Sequence, residues 1–96
     1  MNQYKVFDRA HPAGMGGTQK VYRFPNQYGA SVVRFIGSYG YHEGKWELGV
    51  IKWNGEDYEL TYDTPITEDV LGYLSDTEVD NTLKQIMELT FEGKAK

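Results

Sequence analysis

His11 and His42 are the only histidines in the chain. An imidazole titrates near neutral pH, so either would serve as a general base or metal ligand. With Glu43 or Asp8 as a third donor, the pair would make a divalent-metal site. Neither H-x-x-x-H nor H-E-x-x-H spacing occurs, and nothing local draws the two histidines together. Ser31, Ser38 and Ser75 lack the G-x-S-x-G context of an activated nucleophile. The acids of the C-terminal half fall at turns and helix starts, where capping accounts for them, and no carboxylate pair stands out. The glycine segment "AGMGGTQK" (13–20) matches neither G-x-G-x-x-G nor the Walker spacing. It also leads into a strand-like run, whereas a phosphate cradle ends in a helix N-terminus with free N–H groups. No catalytic constellation follows, and no metal or cofactor is implied.

The aromatic residues are more suggestive. There are eight tyrosines, four phenylalanines and two tryptophans among 96 residues. Tyr39, Tyr41 and Trp46 crowd one stretch, "GSYGYHEGKW", with Arg34, Lys45 and Lys52 close by in sequence. Aromatic rings interleaved with cations stack and neutralise single-stranded nucleic acid. The same residue types anchor protein interfaces. The net charge of −4 and the lack of an RNP-like signature weigh against the nucleic-acid reading.

The length fits one domain with one modest core. Without cysteine there are no disulfides and no thiolate chemistry. The N-terminal run has no apolar signal region and no window is long and apolar enough for a membrane span, which predicts a cytoplasmic protein without a membrane partner. Charge divides sharply at Trp53. Residues 1–53 carry seven basic and three acidic side chains, a balance of +4, and residues 54–96 carry three and eleven, a balance of −8. Such halves read most simply as solvated surfaces that attract each other.

The elements that would position these residues follow from periodicity. Residues 1–18 read as irregular, broken by Pro12 and by Gly14, Gly16 and Gly17. An antiparallel sheet is expected over 19–63. "QKVYRF" and "SVVRFI" form one hairpin around "PNQYG", with Val21 facing either Val33 or Val32 according to loop length. Asn54-Gly55 predicts a two-residue turn that sets Trp53 opposite Glu56 and Ile51 opposite Tyr58. Ile51, Trp53, Tyr58, Leu60 and Tyr62 then share a core face. Trp46, Leu48 and Val50 are left as an apolar strip on an otherwise polar one, the kind of strip that meets another layer or another molecule. Two helices are expected over 66–91. The first is short and begins at Thr67. The second opens with the capping box Ser75-x-x-Glu78, carries the stripe Val79, Leu83, Ile86, Met87 and Thr90, and ends near Gly93. The fold class is therefore α+β, a four-stranded antiparallel sheet of two hairpins with a short and a longer helix packed on one face.

Over most of its length the chain resembles small proteins of tailed-phage and prophage genomes, in the glycine loop, "YGASVVR", "SYG", "WELGVIKW" and "LTYDTPITEDVLGYL". That family has no established activity, so the resemblance implies a setting and no site residues: an accessory protein inside a bacterial host. The combined expectation is a non-enzymatic interaction module binding a host or phage protein through Tyr39, Tyr41, His42, Trp46, Leu48 and Val50. A homodimer through the same strip is a variant of this. The alternative is single-stranded nucleic-acid binding through Arg34, Lys45 and Lys52.

Overall fold

Strand β4, Trp46–Asn54, is the longest element of the sheet and organises the rest. The computed structural model describes residues 2–10, 16–38, 40–67 and 69–90. Among them are β1 (Lys5–Ala10), β2 (Thr18–Arg23), β3 (Tyr28–Arg34), β4, β5 (Asp57–Leu60), β6 (Val70–Leu74) and one α-helix, α1 (Asp76–Met87). Neighbouring strands run antiparallel in the order β1-β2-β3-β4-β5, and β6 also pairs with β4. The α+β class stands, with six strands and one helix among the described residues in place of four and two. No helix there is long and apolar enough to cross a membrane.

Two elements differ in kind from the sequence expectation. Lys5–Ala10 lies within the segment expected to be irregular, yet pairs with β2 from Lys5↔Tyr22 to Ala10↔Thr18. Val70–Leu74 lies where the short helix was expected. Thr67 does use its hydroxyl as a cap would, accepting the Asp69 N–H at 3.0 Å, but a strand follows it. The reason is the far edge of β4. β5 pairs only with Ile51–Asn54, leaving the Trp46–Gly49 half of that edge open. Buried backbone polar groups need partners. β6 supplies them, through Trp46↔Leu74, Leu48↔Leu71 and Gly49↔Val70.

Both hairpin registers are now fixed. Phe24 and Tyr28 close a three-residue loop, Pro25–Gln27, with Gln27 left-handed at φ 72°. Val21 therefore faces Ser31, not Val33 or Val32. In the second hairpin Asn54 faces Asp57 and Trp53 faces Tyr58. Gly55 takes the first central position at φ 65°, and Glu56 beside it is not left-handed, the pattern of a II′ turn. The pairing thus slides by two residues from the expected one, which keeps Ile51, Trp53, Tyr58 and Leu60 on one face. Leu60 and Tyr62, however, expected in the core, are exposed.

The helix decides which face is the main core, and it covers the other one. Trp46, Leu48 and Val50 are 5%, 0% and 0% exposed, packed with Tyr22, Ala30 and Val32 beneath Val79, Leu83 and Ile86 of α1. The expected docking strip is therefore interior. The polar neighbours that made it look like a surface, such as Lys52, lie along the strand toward the sheet's end. The opposite face carries no helix among the described residues, and large side chains lie across it. Trp53 spans Gly29 to donate its indole N–H to the Tyr22 carbonyl at 3.0 Å. A Cβ at Gly29 would collide with that carbonyl and with the indole. Phe7 and Tyr58 complete the cover over Val21 and Ile51.

Both ends of α1 are tied to the sheet. At the start, Ser75 and Glu78 form the expected reciprocal capping box, and the Trp46 indole N–H donates to Asp76 at 2.8 Å. The helix stops at Met87, short of Gly93, which lies outside the described residues. There the Asn26 side-chain amide donates to the carbonyls of Ile86, Met87 and Leu89 at 2.9, 3.2 and 3.0 Å, while its oxygen accepts the Tyr28 N–H. One hairpin side chain thus gathers the carbonyls at the end of the helix, of which that of Ile86 also accepts the Leu89 N–H at 3.1 Å.

Replacing Asn26 by Ala should lower unfolding free energy by about 1–3 kcal/mol. Asn26→Asp should cost more, because a carboxylate would face three carbonyl oxygens. Urea denaturation that finds the Asp variant as stable as the parent would overturn this role. A second expectation concerns acid. Backbone and side-chain hydrogen bonds with Ser75 hold the Glu78 carboxyl below its ordinary value. A depressed carboxyl stabilises the fold above its unfolded value, about 4.3, and that contribution is lost as pH falls through the lowered folded value. Thermal melts over this window should show a shallower pH dependence for Ser75→Ala than for the parent. Equal slopes would remove the capping box from acid stability.

Candidate functional site

The loop between β3 and β4 contains the chemistry-bearing run "GSYGYHEGK", and backbone hydrogen bonds pin its described residues. Ser38 is buried, and its hydroxyl accepts the Phe35 N–H at 3.0 Å while donating to the Phe35 carbonyl at 2.8 Å. Tyr41–Glu43 form a single 3-10 turn between two left-handed glycines, Gly40 at φ 91° and Gly44 at φ 69°. The N–H groups of Glu43 and Lys45 both converge on the Gly40 carbonyl, at 3.0 and 2.9 Å. Arg34 reaches over from β3 and donates to the Gly44 carbonyl at 2.9 Å. Such a loop presents its side chains from a fixed frame.

Strand β6 completes the site through a defect in its pairing. Leu71 faces Leu48 and Leu74 faces Trp46, so two residues of β6, Gly72 and Tyr73, stand against one of β4. This is a β-bulge, and bulges re-aim side chains. Tyr73 adopts φ 59°, a left-handed conformation rare for a bulky residue. The residue is 55% exposed. The loop seats directly on this bulge: a Cβ on Gly40 would lie 3.0 Å from the Tyr73 Cα and 3.3 Å from its N. Gly40 is therefore required twice, for its φ and for the close approach.

Together Ser38, Gly40, Tyr41, His42, Glu43 and Tyr73 line a cleft of about 370 Å³. The Tyr41 and His42 rings meet edge to face, 5.3 Å between centroids and 76° between planes. His42 and Glu43 are exposed and Tyr41 is half-buried. Of the expected binding residues, the structure thus brings Tyr41 and His42 together. Tyr39 and His11 lie outside the described residues. Trp46, Leu48 and Val50 belong to the core beneath α1.

The three cations expected to hold nucleic acid do not converge. Arg34 stacks on the buried Trp46 ring at 4.2 Å. Lys52 lies over Tyr28 at 5.4 Å. Tyr28 and Arg34 are at opposite ends of β3, roughly 20 Å apart at strand rise. Lys45 lies two residues after Glu43 of the cleft, and its charge adds a minor part to the lowering of Glu78 in the first turn of α1. On the helix-free face Arg9 and Arg23 cover the Phe7 and Trp53 rings at 4.4 and 4.9 Å. Cation and ring do meet there, each ring lying under one of the protein's own guanidinium groups.

Tyr73 is the residue that sequence reasoning missed. Read as part of a helix, it had no special place. The available signal was Gly72 inside "VLGYL", since a glycine interrupting a strand pattern marks a bulge. Compared with protein-family models, curated proteins and solved structures, the chain matches none.

The strain at Tyr73 can be measured. A left-handed residue with a Cβ costs about 1–2 kcal/mol. Tyr73→Gly should therefore leave stability unchanged or raise it by up to about 1 kcal/mol, although Gly weakens strands elsewhere. Tyr73→Ala keeps the strain and should be less stable than Tyr73→Gly. Denaturation curves with the opposite order would show that the backbone at this position is relaxed.

Proposed function

We propose that this protein is a non-enzymatic interaction module that binds a partner protein through the cleft of Tyr41, His42, Glu43 and Tyr73. The observation that carries the reading is the left-handed Tyr73 on its bulge. Backbone strain persists where surrounding structure over-determines it, and it concentrates at ligand clamps and active sites. Here it holds an aromatic ring beside two others on a pinned loop, and rings presented rigidly are the usual anchors of protein interfaces.

A binding role fits this cleft better than a catalytic one. Ser38, the one hydroxyl of serine or threonine in the lining, is turned onto the Phe35 backbone. His42 rests against Tyr41, with no nucleophile between them in the lining. The nucleic-acid alternative is less favoured because Arg34, Lys45 and Lys52 are spread apart and ring faces that would stack bases lie under arginines. The likeness to phage and prophage proteins suggests a host or phage protein of the bacterial cytoplasm as partner.

Affinity capture from a bacterial lysate with nuclease added should retain a stoichiometric protein on the parent and lose it on a Tyr41→Ala, Tyr73→Gly double variant. Circular dichroism checks that the variant is folded. Identical captures by both proteins would overturn the cleft as the contact site. Bound material lost on nuclease treatment or in high salt would favour the nucleic-acid alternative.

A further inference from the structure

If the cleft is the contact site, its lining also specifies which group of the partner it receives. Tyr41 and His42 meet at 76° with centroids 5.3 Å apart, so their planes form a corner. Tyr73 adds a third ring and Glu43 a carboxylate. An aromatic face attracts positive charge through its quadrupole, and rings set at an angle around one point reinforce that attraction. Of the nearby cations, the Arg34 guanidinium lies over Trp46 and donates to the Gly44 carbonyl. Glu43 is the one carboxylate among the lining residues, which include no lysine or arginine.

We infer that the cleft receives an organic cation, the ammonium or guanidinium of a lysine or arginine side chain on the partner. The flat walls take the apolar stem and the charged head lies against the ring faces, with the carboxylate at the rim. An anion would meet the Glu43 carboxylate, so it is disfavoured. A purely apolar group would leave the carboxylate without a function. Because the loop is held by its own hydrogen bonds, little ordering opposes binding.

The test uses the whole chain and pentapeptides Gly-Gly-X-Gly-Gly, acetylated at the N-terminus and amidated at the C-terminus. X is lysine, trimethyllysine, arginine or norleucine, and choline is a free-cation arm. Resonances of Tyr41, His42 and Tyr73 are followed by NMR titration. The cationic peptides should bind about fivefold or more tightly than the norleucine peptide, the neutral isostere of lysine. Glu43→Gln should weaken them about threefold while leaving norleucine unchanged. Norleucine binding as tightly as the cations overturns the inference. If the double variant has meanwhile lost its captured partner, the contact site stands and only the ligand class falls. Cationic peptides that bind the double variant as tightly as the parent remove the site itself. Choline binding more tightly than every peptide replaces the partner side chain with a free alkylammonium compound.

Discussion

The arrangement depends on satisfying both edges of one buried strand. β4 runs nine residues through the sheet, with Leu48, Val50 and Ile51 fully buried, so neither edge has water to replace a missing hydrogen bond. β3 serves one edge from Tyr28 to Val33. The other edge is too long for the four-residue β5, and the Thr61 N–H just beyond β5 takes the Val50 carbonyl at 2.9 Å. What remains, Trp46 to Gly49, forces Val70–Leu74 into a strand. Gly49 fits the same constraint at the join of the two partners, since a Cβ there would lie 2.7 Å from the Leu60 side chain. The bulge at Gly72-Tyr73, and with it the candidate cleft, is a consequence of how that second edge is filled.

The two faces of the sheet solve burial differently. On one, α1 supplies the covering layer and is positioned by side chains at its ends: Trp46 on Asp76 and Asn26 on the final carbonyls. Burying Leu83 or Ile86 stabilises by about 1.5–3 kcal/mol each. Non-directional burial alone would not choose where along the sheet the helix lies, and the two polar ties do. On the other face, cover comes from the sheet's own side chains. The glycine at 29 lets Trp53 lie flat across β3, and Arg23 then lies over the indole. Val21 and Ile51 reach full burial there without a second layer among the described residues.

How much of this was legible in the sequence depends on how local each cause is. The capping box at Ser75 and Glu78 involves neighbours three apart, and it was readable. The face shared by Ile51, Trp53, Tyr58 and Leu60 follows from a period of two and survived a two-residue change in register. Asn26 was unreadable as a helix cap because its partners are sixty residues away. The true helix end was missed for the same reason. Val70–Leu74 carries no strong period of its own, so its state is set by the open edge of a strand far upstream. The strip of Trp46, Leu48 and Val50 was legible as apolar but was expected to contact a partner, whereas α1 of the same chain covers it. At the site, composition pointed to Tyr41 and His42, but Tyr73 joins them through a bulge, which depends on two strands at once.

That dependence explains why the cleft combines a strained residue with a stable frame. A left-handed tyrosine at an isolated turn would relax, because adjacent residues could rotate to relieve it. Here Leu71 and Leu74 on either side of the bulge are fixed by pairing with Leu48 and Trp46, and the Gly40 backbone closes over Tyr73 from the loop. The strain is held by contacts that the core requires anyway. Removing it would mean breaking the β4 edge or opening the loop, each costlier than a left-handed residue. The sheet thus maintains a backbone conformation that local preference opposes, and three aromatic side chains from two distant segments line one cleft with the Glu43 carboxylate.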